Sequence, residues 1–150
     1  MSNANGVNTP TTGDPVGADL GGSAFSEKWE YRSTVGMLMY LAANACPDIA
    51  YAVHRFSHNP KNSHALAIKH ILRFLKKTQD KGMYMHPDGS FKLSCYVDSD
   101  FGVLFGSEDP GNLVSVKSRT GYIIKFGLVP ILWVSKLQTQ IAIYHGGRVY

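Results

Sequence analysis

At Gly82 the recurrence of apolar residues switches from a helical period to a strand period, and this limits the possible folds more than any other feature of the chain. Before it, Tyr31, Val35, Leu38 and Ala42 recur at helical spacing, which predicts an amphipathic helix over roughly 27–45. Ser26 is placed to cap that helix, with Glu27 and Glu30 in a first turn that favours acids. Pro47 suits the first turn of a second helix, with Ile49, Val53 and Phe56 inward and an end near His58-Asn59-Pro60. Asn62 or Ser63 caps a third helix reaching about Gln79. Its apolar stripe is Ala65, Ile68, Leu72 and Leu75, and Lys69, Arg73, Lys76 and Lys77 share another face. After Gly82, 83–86 and 91–97 read as a hairpin across Pro87-Asp88-Gly89, and 120–126 and 131–135 as a second across 127–130. Between the hairpins, 102 to about 118 reads as a loop. Helices first and strands afterwards predict α+β organisation, with a boundary near residues 80–90.

Other properties bound the function. A formal charge of +4 over 150 residues permits nucleic-acid contact without requiring it. Cys46 and Cys95 form no C-x-x-C pair and suit a reducing compartment. Residues 1–25, rich in Gly, Asn, Thr, Pro and Asp, read as a flexible, linker-like segment without the basic start and apolar run of a signal peptide. The longest apolar run, 35–41, is too short to span a bilayer. The expectation is a soluble protein, cytoplasmic or nuclear, with no membrane partner and no small-molecule substrate.

Three groups of residues carry chemistry. Asp98 and Asp100 stand at a strand end and share a face, where two carboxylates can approach a hard cation such as Mg2+. A lone D-x-D equally suits a solvated turn. The stripe Lys69, Arg73, Lys76, Lys77 can meet phosphates, or can be the wet side of a helix. His54 and His58 lie at i, i+4, but no Cys or carboxylate nearby completes a tetrahedral metal set. There is no P-loop, no G-x-G-x-x-G and no hydrolase motif.

The order of longer blocks is more specific. "YRSTVGMLMYL", "CPDIAYAV", "RFSHNP", "AIKHILRFLKKTQDKGMYM", "YVDSDFG", "KSRTGYIIKFG" and "PILWVSKLQTQIA" follow one another. Their succession resembles copia-type LTR retrotransposon Pol polyproteins, from the end of the reverse transcriptase domain through the first part of the RNase H domain. The resemblance extends to about Ala142, and "VNTPTTGDP" is similar to the connecting segment upstream. It implies a helical reverse-transcriptase connection segment over 26–82, then a truncated RNase H-like antiparallel β-sheet over 83–142. The parent family performs RNA-templated DNA synthesis and cleaves RNA in RNA–DNA hybrids by a two-metal, Mg2+-dependent route. Asp98 matches the first catalytic carboxylate. Asp100 matches a frequent family residue that is not counted as an essential ligand, though its position allows it to support metal hydration.

Two departures from the family pattern change the expectation. The family continues with a helix reading approximately L-S-T-T-E-A-E-Y-I, which carries the next catalytic Glu. This chain reads Ile-Tyr-His-Gly-Gly-Arg-Val-Tyr over 143–150, with no acid. Back-translated as ATC TAC CAC GGA GGC AGA GTA TAT and read from its second base, that run encodes Ser-Thr-Thr-Glu-Ala-Glu-Tyr. Residues 143–150 thus read as an aberrant, frameshifted tail. Relatives also carry about three more residues inside "YAVHRFSHNP", and losing them turns the helix phase by about 60°. The chain is expected to be catalytically inactive, with Asp98 a remnant. The alternative is a non-catalytic nucleic-acid binder using the basic helix 63–79, with an RNA–DNA hybrid or another nucleic acid as partner. Without covering helices, an edge such as 120–126 is expected to aggregate.

Overall fold

Tyr31–Asn44 forms helix α1, and the four residues predicted to face inward, Tyr31, Val35, Leu38 and Ala42, are its buried ones. The computed structural model describes residues 5–12, 17, 19–53, 60–100 and 117–140. They fall into two compact units, Met1–His86 and Pro87–Tyr150.

In the first unit α1 begins later than the predicted residue 27, with Glu30 at its N-cap and no acid in its first turn. The reason is a competing local structure. Phe25, Trp29 and Tyr31 gather their rings at centroid distances of 5.1–5.5 Å. Trp29 Nε1 donates to Glu27 at 2.7 Å, which ties down the segment read as the first turn. Pro47–Ile49 is a 3-10 turn leading into the short helix α2, Ala50–Val53, and it buries Ile49 and Val53 as expected. Phe56, predicted to face inward as well, lies outside the described residues.

Helix α3 is Asn62–Lys77, with Lys61 rather than Asn62 or Ser63 at the N-cap. The two expected caps turn elsewhere: Asn62 Nδ2 donates to Ser23 Oγ at 2.7 Å, and the Ser63 hydroxyl donates to the Asp19 carboxylate. His64 fills the third-position role of a capping box, its Nδ1 accepting from the Lys61 N–H at 2.9 Å. Ala65, Ile68, Ile71 and Phe74 are buried, whereas the predicted Leu72 and Leu75 are half-buried. The core-facing stripe is therefore rotated toward the i+3 side of the expected one. Ser23–Phe25 runs antiparallel to Pro60–Asn62, through Phe25 N to Pro60 O at 3.2 Å and Asn62 N to Ser23 O at 3.1 Å.

The second unit holds an antiparallel sheet in the order β1 (Leu93–Asp100), β2 (Arg119–Phe126), β3 (Val129–Leu137). Helices followed by an antiparallel sheet make the described chain α+β. Met83–His86 pairs with no strand among the described residues, so the first predicted hairpin does not form; β1 takes β2 as its neighbour instead. The Pro87-Asp88-Gly89 turn does form. Gly89 has φ +75°, and the Ser90 N–H donates to Asp88 Oδ1 at 2.9 Å, an Asx-type closure.

The second hairpin forms with a tighter loop than predicted. Gly127, at φ +58°, and Leu128 are its turn, which puts glycine first, as a II′ hairpin requires. Val129 and Pro130 belong to β3, and the register shift between Ile124 and Lys125 leaves Ile131 as the extra residue. Proline is tolerated there because β3 is an edge strand at an irregularity. Strand β2, predicted as an aggregation-prone edge, is paired on both sides and is the centre of the sheet.

Candidate functional site

Asp98 sits one alternation before the end of β1, exposed, with Gly121 directly opposite on β2 and Ser135 level with it on β3. Directly opposed residues of a ladder share a face, so Asp98, Gly121 and Ser135 make one row, and Arg119 and Leu137 belong to the next. A Cβ built on Gly121 would meet nothing nearer than Asp98 O and Val134 O, both at 3.8 Å. The space beside the Asp98 carboxylate is therefore open on the β2 side. Arg119 is buried at 6% exposure, and its Nη1 donates to Ser135 Oγ at 3.4 Å, so its guanidinium reaches toward the row that holds Asp98. Tyr96, on the same face, is exposed and carries Lys125 Nζ 5.8 Å from its ring centroid.

Magnesium takes oxygen ligands, from two or more acids together with substrate phosphates. Among the described residues no three His, Cys, Asp or Glu side chains come together, so the described donors do not fit a two-metal centre. Asp100 ends β1 opposite Arg119 in the ladder.

Helix α3 carries the second candidate. Of the four predicted cations, Lys69 is paired: its Nζ lies 2.6 Å from Glu27 Oε2 and donates to Oε1 at 2.7 Å. That contact, then the Trp29 indole, holds the Glu27 carboxyl below its ordinary range. Arg73 Nε donates to Asn5 O at 2.6 Å, and Lys77 Nζ to Asn8 Oδ1 at 2.7 Å. Lys76 is exposed. Two histidines extend the same contacts. His70 Nε2 meets Thr9 O at 2.9 Å, and His64 Nε2 meets Gly17 O at 2.8 Å. A carbonyl only accepts, so each Nε2 is the donor. Asn5, Asn8, Thr9 and Gly17 of the segment read as linker-like thus lie against the basic and histidine side chains of α3.

His54 and His58, the histidine pair at i, i+4, lie outside the described residues, as do 143–150, read above as an aberrant tail, and 102–116, most of the stretch read as a loop. Arg119 was not singled out from the sequence. It stands in "KSRTG" among ordinary polar neighbours, and only the strand register puts it on the Asp98 face. The hydrogen bonds of the N-terminal segment were equally illegible, because its acceptors are mostly backbone carbonyls. The presence of glycine at position 6 is the available signal. No helix among the described residues is long and apolar enough to cross a membrane.

The chain is 37% identical over 144 residues to the Retrovirus-related Pol polyprotein from transposon RE1 of Arabidopsis thaliana, a match covering 94% of this chain and 9% of that protein. It is 34% identical over 154 residues to the Retrovirus-related Pol polyprotein from transposon TNT 1-94 of Nicotiana tabacum, covering 95% of this chain and 11% of that protein. It is also 34% identical over 116 residues to the Secreted RxLR effector protein 161 of Plasmopara viticola, covering 75% of this chain and 76% of that one. No family model matches, and no solved structure matches. The chain spans only about a tenth of the length of the polyproteins it resembles. It belongs to the family of retrovirus-related Pol polyproteins of copia-type transposons.

Proposed function

We propose that this chain is the stretch of a copia-type Pol polyprotein that runs from the end of the reverse transcriptase region into the opening strands of an RNase H-like sheet. Asp98 is then the remnant of a catalytic set whose next acid, expected within 143–150, is missing from that run. The observation that carries this reading is the placement of Asp98: an exposed carboxylate near the end of β1, beside a row left open by Gly121. Its position in a sheet that follows a helical segment agrees with the family's order of elements. The parent's activities would be RNA-templated DNA synthesis and hydrolysis of RNA in RNA–DNA hybrids. A two-metal centre clamps both the attacking and the leaving oxygen, and it takes more acids than Asp98 and Asp100 at the end of β1 provide. This chain alone is therefore inactive as a hybrid nuclease. The test is cleavage of end-labelled RNA in an RNA–DNA hybrid, in magnesium and in manganese, by the chain and by Asp98→Asn. The expected result is no cleavage attributable to Asp98. Cleavage that vanishes in Asp98→Asn overturns the reading.

A second reading, non-catalytic nucleic-acid binding through Lys69, Arg73, Lys76 and Lys77, is favoured by one observation. Arg73 and Lys77 give their described hydrogen bonds to neutral oxygens, so no described carboxylate offsets their charge. Phosphate contact would appear as affinity that falls with salt, with a slope reduced by about one for each cation removed. Equal slopes for the chain and for Arg73→Ala sink this reading.

A further inference from the structure

The basic side of α3 is not bare. Asn5, Asn8 and Thr9 offer oxygens to Arg73, Lys77 and His70 within 2.6–2.9 Å, and Gly17 offers its carbonyl to His64 at 2.8 Å. These acceptors come from one stretch of chain, and their donors are spread over several turns of the helix. Contact is close enough to require glycine at position 6: a Cβ built there would lie 2.6 Å from Lys77 Cβ. Lys77 Cβ is fixed to the helix backbone and cannot swing away as a side-chain tip would. Residues 5–12 contain no charged side chain. The segment therefore satisfies hydrogen bonds without neutralising the cations beneath it.

We propose that this N-terminal segment is a displaceable strap that competes with a nucleic-acid backbone for the donors of α3. The inference rests on the second reading above, that α3 contacts nucleic acid, and adds its regulation. The physical basis is the difference in acceptors. Arg73 and Lys77 are charged donors in either bond, but a phosphodiester adds an opposite charge, and a bidentate partner for the guanidinium, that Asn5 O and Asn8 Oδ1 lack. Uncharged acceptors hold the face closed in the absence of a polyanion and yield to one. Apparent affinity is then reduced by the fraction of molecules whose face is uncovered.

The experiment uses the full chain and a fluorescently labelled RNA–DNA hybrid duplex, with anisotropy read across a salt series. Gly6→Val forces the strap off Lys77 while leaving every α3 donor in place. If the strap covers nine molecules in ten, Gly6→Val tightens binding about tenfold. Combining Gly6→Val with Arg73→Ala and Lys77→Ala removes that gain. In the unaltered chain, adding hybrid raises amide exchange over residues 5–12 and lowers it in α3. Equal affinity of Gly6→Val and the unaltered chain, with Arg73→Ala still weakening both, overturns the strap and leaves the α3 reading standing. Binding that Arg73→Ala and Lys77→Ala leave unchanged overturns the α3 reading, and the strap with it.

Discussion

Asp98 faces Gly121 across the β1–β2 ladder, so the carboxylate has a strand neighbour without a side chain. The two glycines of β2 and its turn differ sharply in what they tolerate. Gly121 has ordinary van der Waals room for a Cβ, whereas Gly127 combines φ +58° with close approach to Asp88 Oδ1 and, at 3.0 Å, to Ser90 O.

Gly121→Ala is expected to stabilise the sheet by about 0.4–1 kcal/mol, chiefly by restricting the unfolded chain. Gly127→Ala is expected to destabilise it by at least about 1–2 kcal/mol, the cost of a left-handed conformation for an L-residue. Urea unfolding followed by Trp133 fluorescence compares the two. Like-signed effects would contradict the description of the β2–β3 turn.

Ile68 is fully buried on α3, with Ile49, Ile71 and Val53 as the other large side chains that solvent does not reach. Ile68→Ala should cost about 2–5 kcal/mol, through lost transfer energy and the cavity left behind. Trp29 emission in a Trp133→Phe background reports the helical unit alone. A cost below about 1 kcal/mol would mean that α3 does not present this side to the core.

The Glu27–Lys69 pair makes stability depend on acid in a fixed direction. Lys69, then Trp29, lowers the Glu27 carboxyl in the folded chain. Its contribution is therefore present above the range in which the unfolded carboxyl titrates, and is lost as pH falls through the lower folded value. The pair is partly solvated, so the effect is small. The Tm difference between the chain and Glu27→Gln should be positive near neutrality and shrink on acidification. A difference independent of pH would refute the pairing.

Burial pushes the Tyr31 phenol up to about 12, against an ordinary value near 10. The neutral form is the one the core accepts, so the folded state loses stability as pH rises through that window. Tyrosinate absorbance should show one late-ionising group that Tyr31→Phe removes. Persistence of the late phase in that variant would place the buried phenol elsewhere.

Local signals were legible and partner choice was not. Tyr31, Val35, Leu38 and Ala42 follow from spacing alone, because a single helix decides which residues share a stripe. On α3, spacing cannot choose between Leu72 with Leu75 and Ile71 with Phe74; the side on which the rest of the unit packs chooses the second pair. Glu27 fits a helix's first turn by composition, yet Lys69, distant in sequence, captures it. The turn at Gly89 formed as expected, but no local feature of 91–97 reveals that its partner is 119–126 rather than 83–86. Asp98 was visible as a strand-end acid. Arg119 beside its row was hidden, because register is a property of two strands and not of one.

If Asp98 is what remains of a cut catalytic set, the nucleotide sequence of the transcript across codons 138–150 and beyond is the most direct test. The shifted frame from codon 143 is predicted to encode Ser-Thr-Thr-Glu-Ala-Glu-Tyr and to continue as an open reading frame, restoring the acid that 143–150 lacks. A shifted frame that encodes another sequence or stops at once would contradict this. Residues 143–150 would then be a native run without the acid, and the account of Asp98 as one member of a broken set would fail.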